Sequence, residues 1–261
     1  MARGLRRFEE KEIESAQSIV DTHDRESRWN RRGALVAWAE YIAAFLLFFL
    51  THTIPVRAPI RSLLVQRMGE LGFTLAYSLS SILVLAWLIR SAGRTPFVPL
   101  WYWQPWHSLI TIFLMLFVCM IVAFSVGQAN PLSFGGFRNE RFDACSPGIV
   151  KWVRHPFLLV LGLWSFAHLV ANGDLAHVLL FACFGIFAIL GSKLVDKRKQ
   201  RELGDHWHVL AVQMKSASVR LSSAAIRMTI GRFFLGIILY LSLIYSHRWL
   251  VGVSPIPPPM H

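Results

Sequence analysis

Charge is what this sequence has least of. Only 16% of its 261 residues are Asp, Glu, Lys or Arg, against about 25% in an ordinary soluble domain. Hydrophobic residues reach 54%, and the mean hydropathy is +0.46. A conventional water-soluble enzyme is excluded on that balance. Cysteine is scarce too: Cys119, Cys145 and Cys183 are odd in number and lack CxxC or metal-ligand spacing. They imply neither a disulfide framework nor a zinc site, and two lie in apolar runs where a thiol packs as a small residue. Apolar–polar alternation over segments of about ten residues is missing, which argues against a transmembrane β-barrel. Residues 1–33 hold no short apolar core with a small-residue cleavage site. Their acids Glu9, Glu10, Glu12 and Glu14 argue against a transit peptide. They read as a solvated extension.

What the chain does have is long apolar runs, each able to cross about 30 Å of hydrocarbon as a helix. The expected fold is therefore all-α: a polytopic transmembrane helical bundle with about six spans, occupying residues 34–252, with a proline-rich tail over 253–261. The spans are expected near 34–54, 73–89, 107–126, within 151–174, onward to Gly191, and 230–251. Between the first two, Arg57, Arg61 and Arg67 stand among apolar residues, the pattern of an interfacial helix. Trp101, Tyr102, Trp103 and Trp106 read as an aromatic belt at the membrane surface. The short Asn172-Gly173-Asp174 turn makes its flanking helices antiparallel neighbours, with Asp174 as a helix cap. After Gly191 the chain becomes basic and amphipathic. Leu203, Trp207, Leu210 and Met214 recur at helical spacing, giving a surface helix with an apolar face for the membrane.

The net charge of +12 would suggest nucleic acid in a soluble protein. Here the basic residues flank apolar runs, so anionic headgroups and insertion orientation account for them, and no nucleic-acid partner is expected. Placing the loop before His155 on the cytoplasmic side gathers most Lys and Arg there. The same count of crossings puts Arg28, Arg31 and Arg32 outside, against the rule.

Polar side chains inside apolar runs are costly and mark chemistry or pairing. Glu40 in the first span is expected to pair with an arginine or a histidine ring. His52 closes that span, and His168 lies deep in the stretch KWVRHPFLLVLGLWSFAHLVANGD, which opens on Arg154-His155-Pro156. His107, His177, His206, His208 and His247 fall near span ends and are expected to be solvated.

The stretch RHPFLLVLGLWSFAHLVANGDLAHVLLF resembles the signature of the NnrU family of bacterial membrane proteins. The similarity extends upstream through FFLTHTIPVRAPIRSLLVQRMGELG and NPLS, and downstream to HRWLVGVSPIP. That resemblance implies a multi-pass protein of the bacterial inner (cytoplasmic) membrane associated with denitrification and nitric oxide metabolism. The NnrU family is also similar to zeta-carotene isomerase, a membrane enzyme that uses haem b to isomerise a cis double bond. By motif, that enzyme's two haem-ligating histidines fall on His52 and His168. Ser165 stands where the isomerase has a cysteine, so the sulfur for a thiolate exchange is missing. More distantly, Arg154-His155-Pro156 followed by Asp196, Gly204 and Trp207 resembles the S-adenosylmethionine region of isoprenylcysteine carboxyl methyltransferases.

Three functions follow from these resemblances. One is a haem b protein, with an apolar unsaturated substrate if it is an isomerase. Another is an S-adenosylmethionine-dependent methyltransferase with Arg154 and His155 at the cofactor. The third is a non-enzymatic accessory factor whose partner is nitric oxide reductase. For haem the expected iron ligands are His52 and His168, with His155 in reserve. His168 lies about thirteen residues, hence about 20 Å, beyond the helix entrance, which on the expected topology sets it at a different depth from His52.

Overall fold

The computed structural model describes residues 30–134, 136–218 and 223–257. Expectations for most of the N-terminal extension and for the end of the tail lie outside the described residues. Among them there are seven α-helices and no strand: α1 (Asn30–Thr53), α2 (Ala58–Ala92), α3 (Pro105–Ser125), α4 (Pro156–Ala171), α5 (Leu175–Leu203), α6 (Asp205–Ser216) and α7 (Ser223–Val251). Five of these, α1, α2, α3, α5 and α7, are long and apolar enough to cross a bilayer. This is a multi-pass α-helical membrane protein. Large apolar side chains such as Leu71, Phe113, Ile189 and Ile238 are exposed, the arrangement of a protein whose outer solvent is hydrocarbon.

The chain divides into two compact units, 1–98 and 99–261. In the first, α1 and α2 are joined by a short connection at Pro55. α2 is broken at Gly69, whose φ of 74° and ψ of 167° are non-helical; this backbone region is essentially open only to glycine. The break separates the arginine-bearing first arm from the apolar remainder, as the interfacial pattern predicts. Arg61 reaches across it to Glu70 at 2.7 Å. Glu40 accepts from the Trp87 indole at 3.0 Å and from Arg94 at 3.2 Å. Its partner is therefore the expected arginine, with an indole rather than a histidine beside it.

In the second unit α4 packs against both α3 and α5, and α7 packs on α3. α4 has 16 residues, about 24 Å at the helical rise, shorter than a full span. α5 continues well past Gly191 for 29 residues in all, and the Asp174 side chain caps it by accepting from the His177 amide. The turn before α5 is held tightly: the Gly173 carbonyl accepts from the Leu100 and Trp101 amides, and the Trp101 indole donates to Val170. A Cβ on Gly173 would drive into the Trp101 carbonyl, which is why glycine stands there. Trp101 is thus turned inward, while Tyr102, Trp103 and Trp106 are exposed as a belt would be.

The amphipathic helix differs from expectation. The α6 face of Trp207, Leu210, Ala211 and Met214 packs against Leu132 and Val150, with Phe142, Ala144 and Leu203 around it. Its apolar stripe is covered by the chain's own loop rather than laid on the membrane. The 3.6 period identifies such a face without saying what covers it.

Candidate functional site

His168 sits on the last turn of α4, between Trp164 and Phe181, with ring centroids 5.0 and 5.3 Å away. Its Nδ1 lies 2.8 Å from the Trp164 carbonyl. A carbonyl only accepts, so Nδ1 carries the proton and Nε2 keeps its lone pair. His52, at the end of α1 in the first unit, has the same arrangement. Its Nδ1 donates to the Phe48 carbonyl at 2.8 Å, and the ring lies on Phe48 at 3.9 Å. Tyr77 donates to the His52 carbonyl at 3.4 Å and steadies the helix end.

A haem iron takes neutral imidazole nitrogens in apolar surroundings, with the second ring nitrogen fixed by a hydrogen bond. His52 and His168 each meet that description as donors. The cavity at His168 has a volume of about 40 Å³, far below the roughly 300 Å³ at which small-molecule pockets begin. That cavity as it stands does not hold a porphyrin.

Sequence reasoning missed His247. It lines that same small cavity from α7, together with Met115, Cys119 and Tyr240. Its Nδ1 lies 2.8 Å from the Val253 carbonyl, so it too presents a free Nε2. Its position at the end of the last span suggested a solvated residue. His107 also departs from the expected solvated position: it is 5% exposed, and its Nδ1 accepts from the Gln104 backbone amide at 2.9 Å. His177 pairs with Asp174 at 2.7 Å. His206 and His208 are exposed as expected.

The second cluster is the Arg154-His155 step. Arg154 Nη1 donates to one Asp196 oxygen at 2.8 Å, and His155 Nε2 to the other at 3.0 Å. The Arg154 guanidinium lies over the Trp207 ring at 4.9 Å. Ser133 Oγ is 3.0 Å from His155 Nδ1, and the Asn130 amide donates to the Arg154 carbonyl at 2.9 Å. The structure so joins NPLS, RHP, Asp196 and Trp207, four separated pieces of sequence, at one point. Burial pulls the His155 pKa below its ordinary value, against the Asp196 charge and hydrogen bond that pull it up. The imidazole is then neutral at physiological pH, donating Nε2–H to Asp196 and accepting from Ser133. With both nitrogens engaged, His155 offers none to a metal.

Beside this cluster a groove of about 650 Å³ runs between α4 and α5. Among the described residues no three His, Cys, Asp or Glu side chains form a metal site. Ser165 is buried and donates to the Leu161 carbonyl.

No curated protein and no solved structure matches this chain. A family model described as "NnrU protein" matches residues 40–255, a range that takes in part of the first unit, nearly all of the second, His52, His168 and the whole Arg154 cluster. The chain belongs to the NnrU family.

Proposed function

We propose that this protein binds haem b in the bacterial cytoplasmic membrane and serves nitric oxide or denitrification metabolism, with His52 and His168 as the iron's imidazoles. One observation carries the reading: both rings have Nδ1 tied to the carbonyl four residues back, and both leave Nε2 free in apolar surroundings. An intrahelical tie of this kind fixes tautomer and ring direction together, which is what an iron ligand requires. Bound haem would supply the one-electron chemistry suited to isomerising a double bond of an apolar polyene taken from lipid. The chain's own part is to orient the two imidazoles and, through Trp164, Phe181 and Phe48, to keep water from them. A pyridine haemochrome assay on the purified protein tests this. Haem b at about one equivalent per chain or per pair of chains supports it, and a colourless protein from haem-replete cells refutes it.

A second reading is favoured by the convergence of Arg154, His155, Asp196 and Trp207 beside a pocket-sized groove. It makes the protein a membrane methyltransferase with S-adenosylmethionine at that cluster. Calorimetric titration of the detergent-solubilised protein with S-adenosylmethionine decides between the two, since the haem reading predicts no heat.

A further inference from the structure

The haem reading leaves the α4–α5 groove without a use. It extends from Trp152, Arg154 and His155 at one end to Leu169 and Phe181 at the other. The fifteen-residue step from Arg154 to Leu169 corresponds to roughly 22 Å along a helix, so the groove is long. Gly162, Ala182, Gly185 and Ala188 lie along it, where larger side chains would close it. Leu159, Phe166, Ile186 and Ile189 on its rim are exposed. In a protein bathed in lipid, a rim of that kind opens to acyl chains and not to water.

Its polar end carries hydrogen-bond donors to spare. Asp196 spends one oxygen on Arg154 and the other on His155, while His155 is neutral by the argument above. The described hydrogen bonds use one N–H of the Arg154 guanidinium, which has five, and the side chain is 30% exposed. The Asp196 charge is already answered by its two neighbours, and the remaining guanidinium donors stand at the mouth of the groove, able to meet an anion as a fork.

We propose that this groove binds a single-chain anionic amphiphile, a long-chain carboxylate drawn from the bilayer, with its head on Arg154 and its tail between α4 and α5. The volume is that of one slender ligand. The far end of the groove is separated from His168 by one ring, Phe181, so the site is distinct from the haem ligands and does not rest on that reading.

The test is photolabelling of the full-length protein in detergent with a diazirine-bearing stearate, followed by mass mapping of the adducts. The expected result is adducts concentrated on residues 152–169 and 181–192, displaced by unlabelled stearate. Stearyl alcohol, which lacks the charge, should displace it roughly tenfold less well. Ala182→Phe, which fills the groove without touching the polar cluster, should remove the concentrated labelling. Arg154→Gln should weaken it roughly tenfold; if that variant does not fold, Ala182→Phe alone carries the decision. Adducts spread over all apolar helices and unchanged by Ala182→Phe would overturn the proposal in favour of ordinary annular lipid. Equal displacement by stearyl alcohol would overturn the head-group assignment. Displacement by phosphatidylglycerol at equal chain concentration would reassign the groove to a two-chain lipid.

Discussion

His155 and Arg154 share a single carboxylate, Asp196, each holding one of its oxygens at 3.0 and 2.8 Å. Two consecutive residues at the entrance of α4 are thereby tied to one position far along α5, and the two helices are fixed in register as well as in contact. The tie matters because α4 is short and cannot be held in place by spanning the bilayer.

Removing that carboxylate leaves both partners unmatched. Asp196→Asn keeps the shape and loses the charge, and should lower stability by about 1–3 kcal/mol. Thermal unfolding in detergent, followed by tryptophan fluorescence, measures it. An unchanged Tm would mean that water replaces the carboxylate at no cost.

The His155 pKa gives a pH dependence with a definite sign. Its folded value is lowered, so below the ordinary value of about 6.5 the unfolded chain takes up the proton that the folded one resists. Stability should therefore be full near pH 7.5 and fall towards about pH 5.5. In His155→Gln this contribution should vanish and the profile flatten over that window. A profile of the same slope in both proteins would place the titration elsewhere.

Trp207 contributes bulk and a platform for Arg154, yet its indole Nε1 is buried without a hydrogen-bond partner. Trp207→Ala should cost about 3–5 kcal/mol by opening a cavity among Leu132, Val150 and Met214. Trp207→Phe removes the unmatched N–H while keeping most of the packing, and should cost under about 1.5 kcal/mol. Similar losses in both variants would show that the indole donor is satisfied after all.

Gly173 lies against the Trp101 carbonyl. Gly173→Ala should force the turn apart and cost about 1–3 kcal/mol, read as a lower Tm. A neutral substitution would mean that the Pro99–Trp101 segment is free to move away.

Much of this was legible in the residues. The long spans, the break before the second span's apolar part, the Asp174 cap and the Glu40–arginine pair all follow from where charges and turn residues interrupt apolar runs. Two features were not. The α6 stripe of Trp207, Leu210 and Met214 is a correct reading of period but not of partner, because burial against a loop and burial in a membrane surface select the same side chains. His247 and His107 stand near span ends, a place that reads as solvated in the sequence. The first lines the His168 cavity, and the second is held in the capping arrangement at the start of α3. The first depends on which helix end meets which turn; the second is local, since Gln104 and His107 stand three residues apart at the N-cap and third position of α3.

The central claim is that His168 holds iron through the nitrogen its backbone tie leaves free. The direct measurement is the absorption spectrum of the purified protein beside His168→Ala and His247→Ala, at matched protein and with monodispersity checked. The account predicts a Soret band in the parent protein, its loss or marked shift in His168→Ala, and a retained band in His247→Ala. A Soret band unchanged in His168→Ala would contradict it.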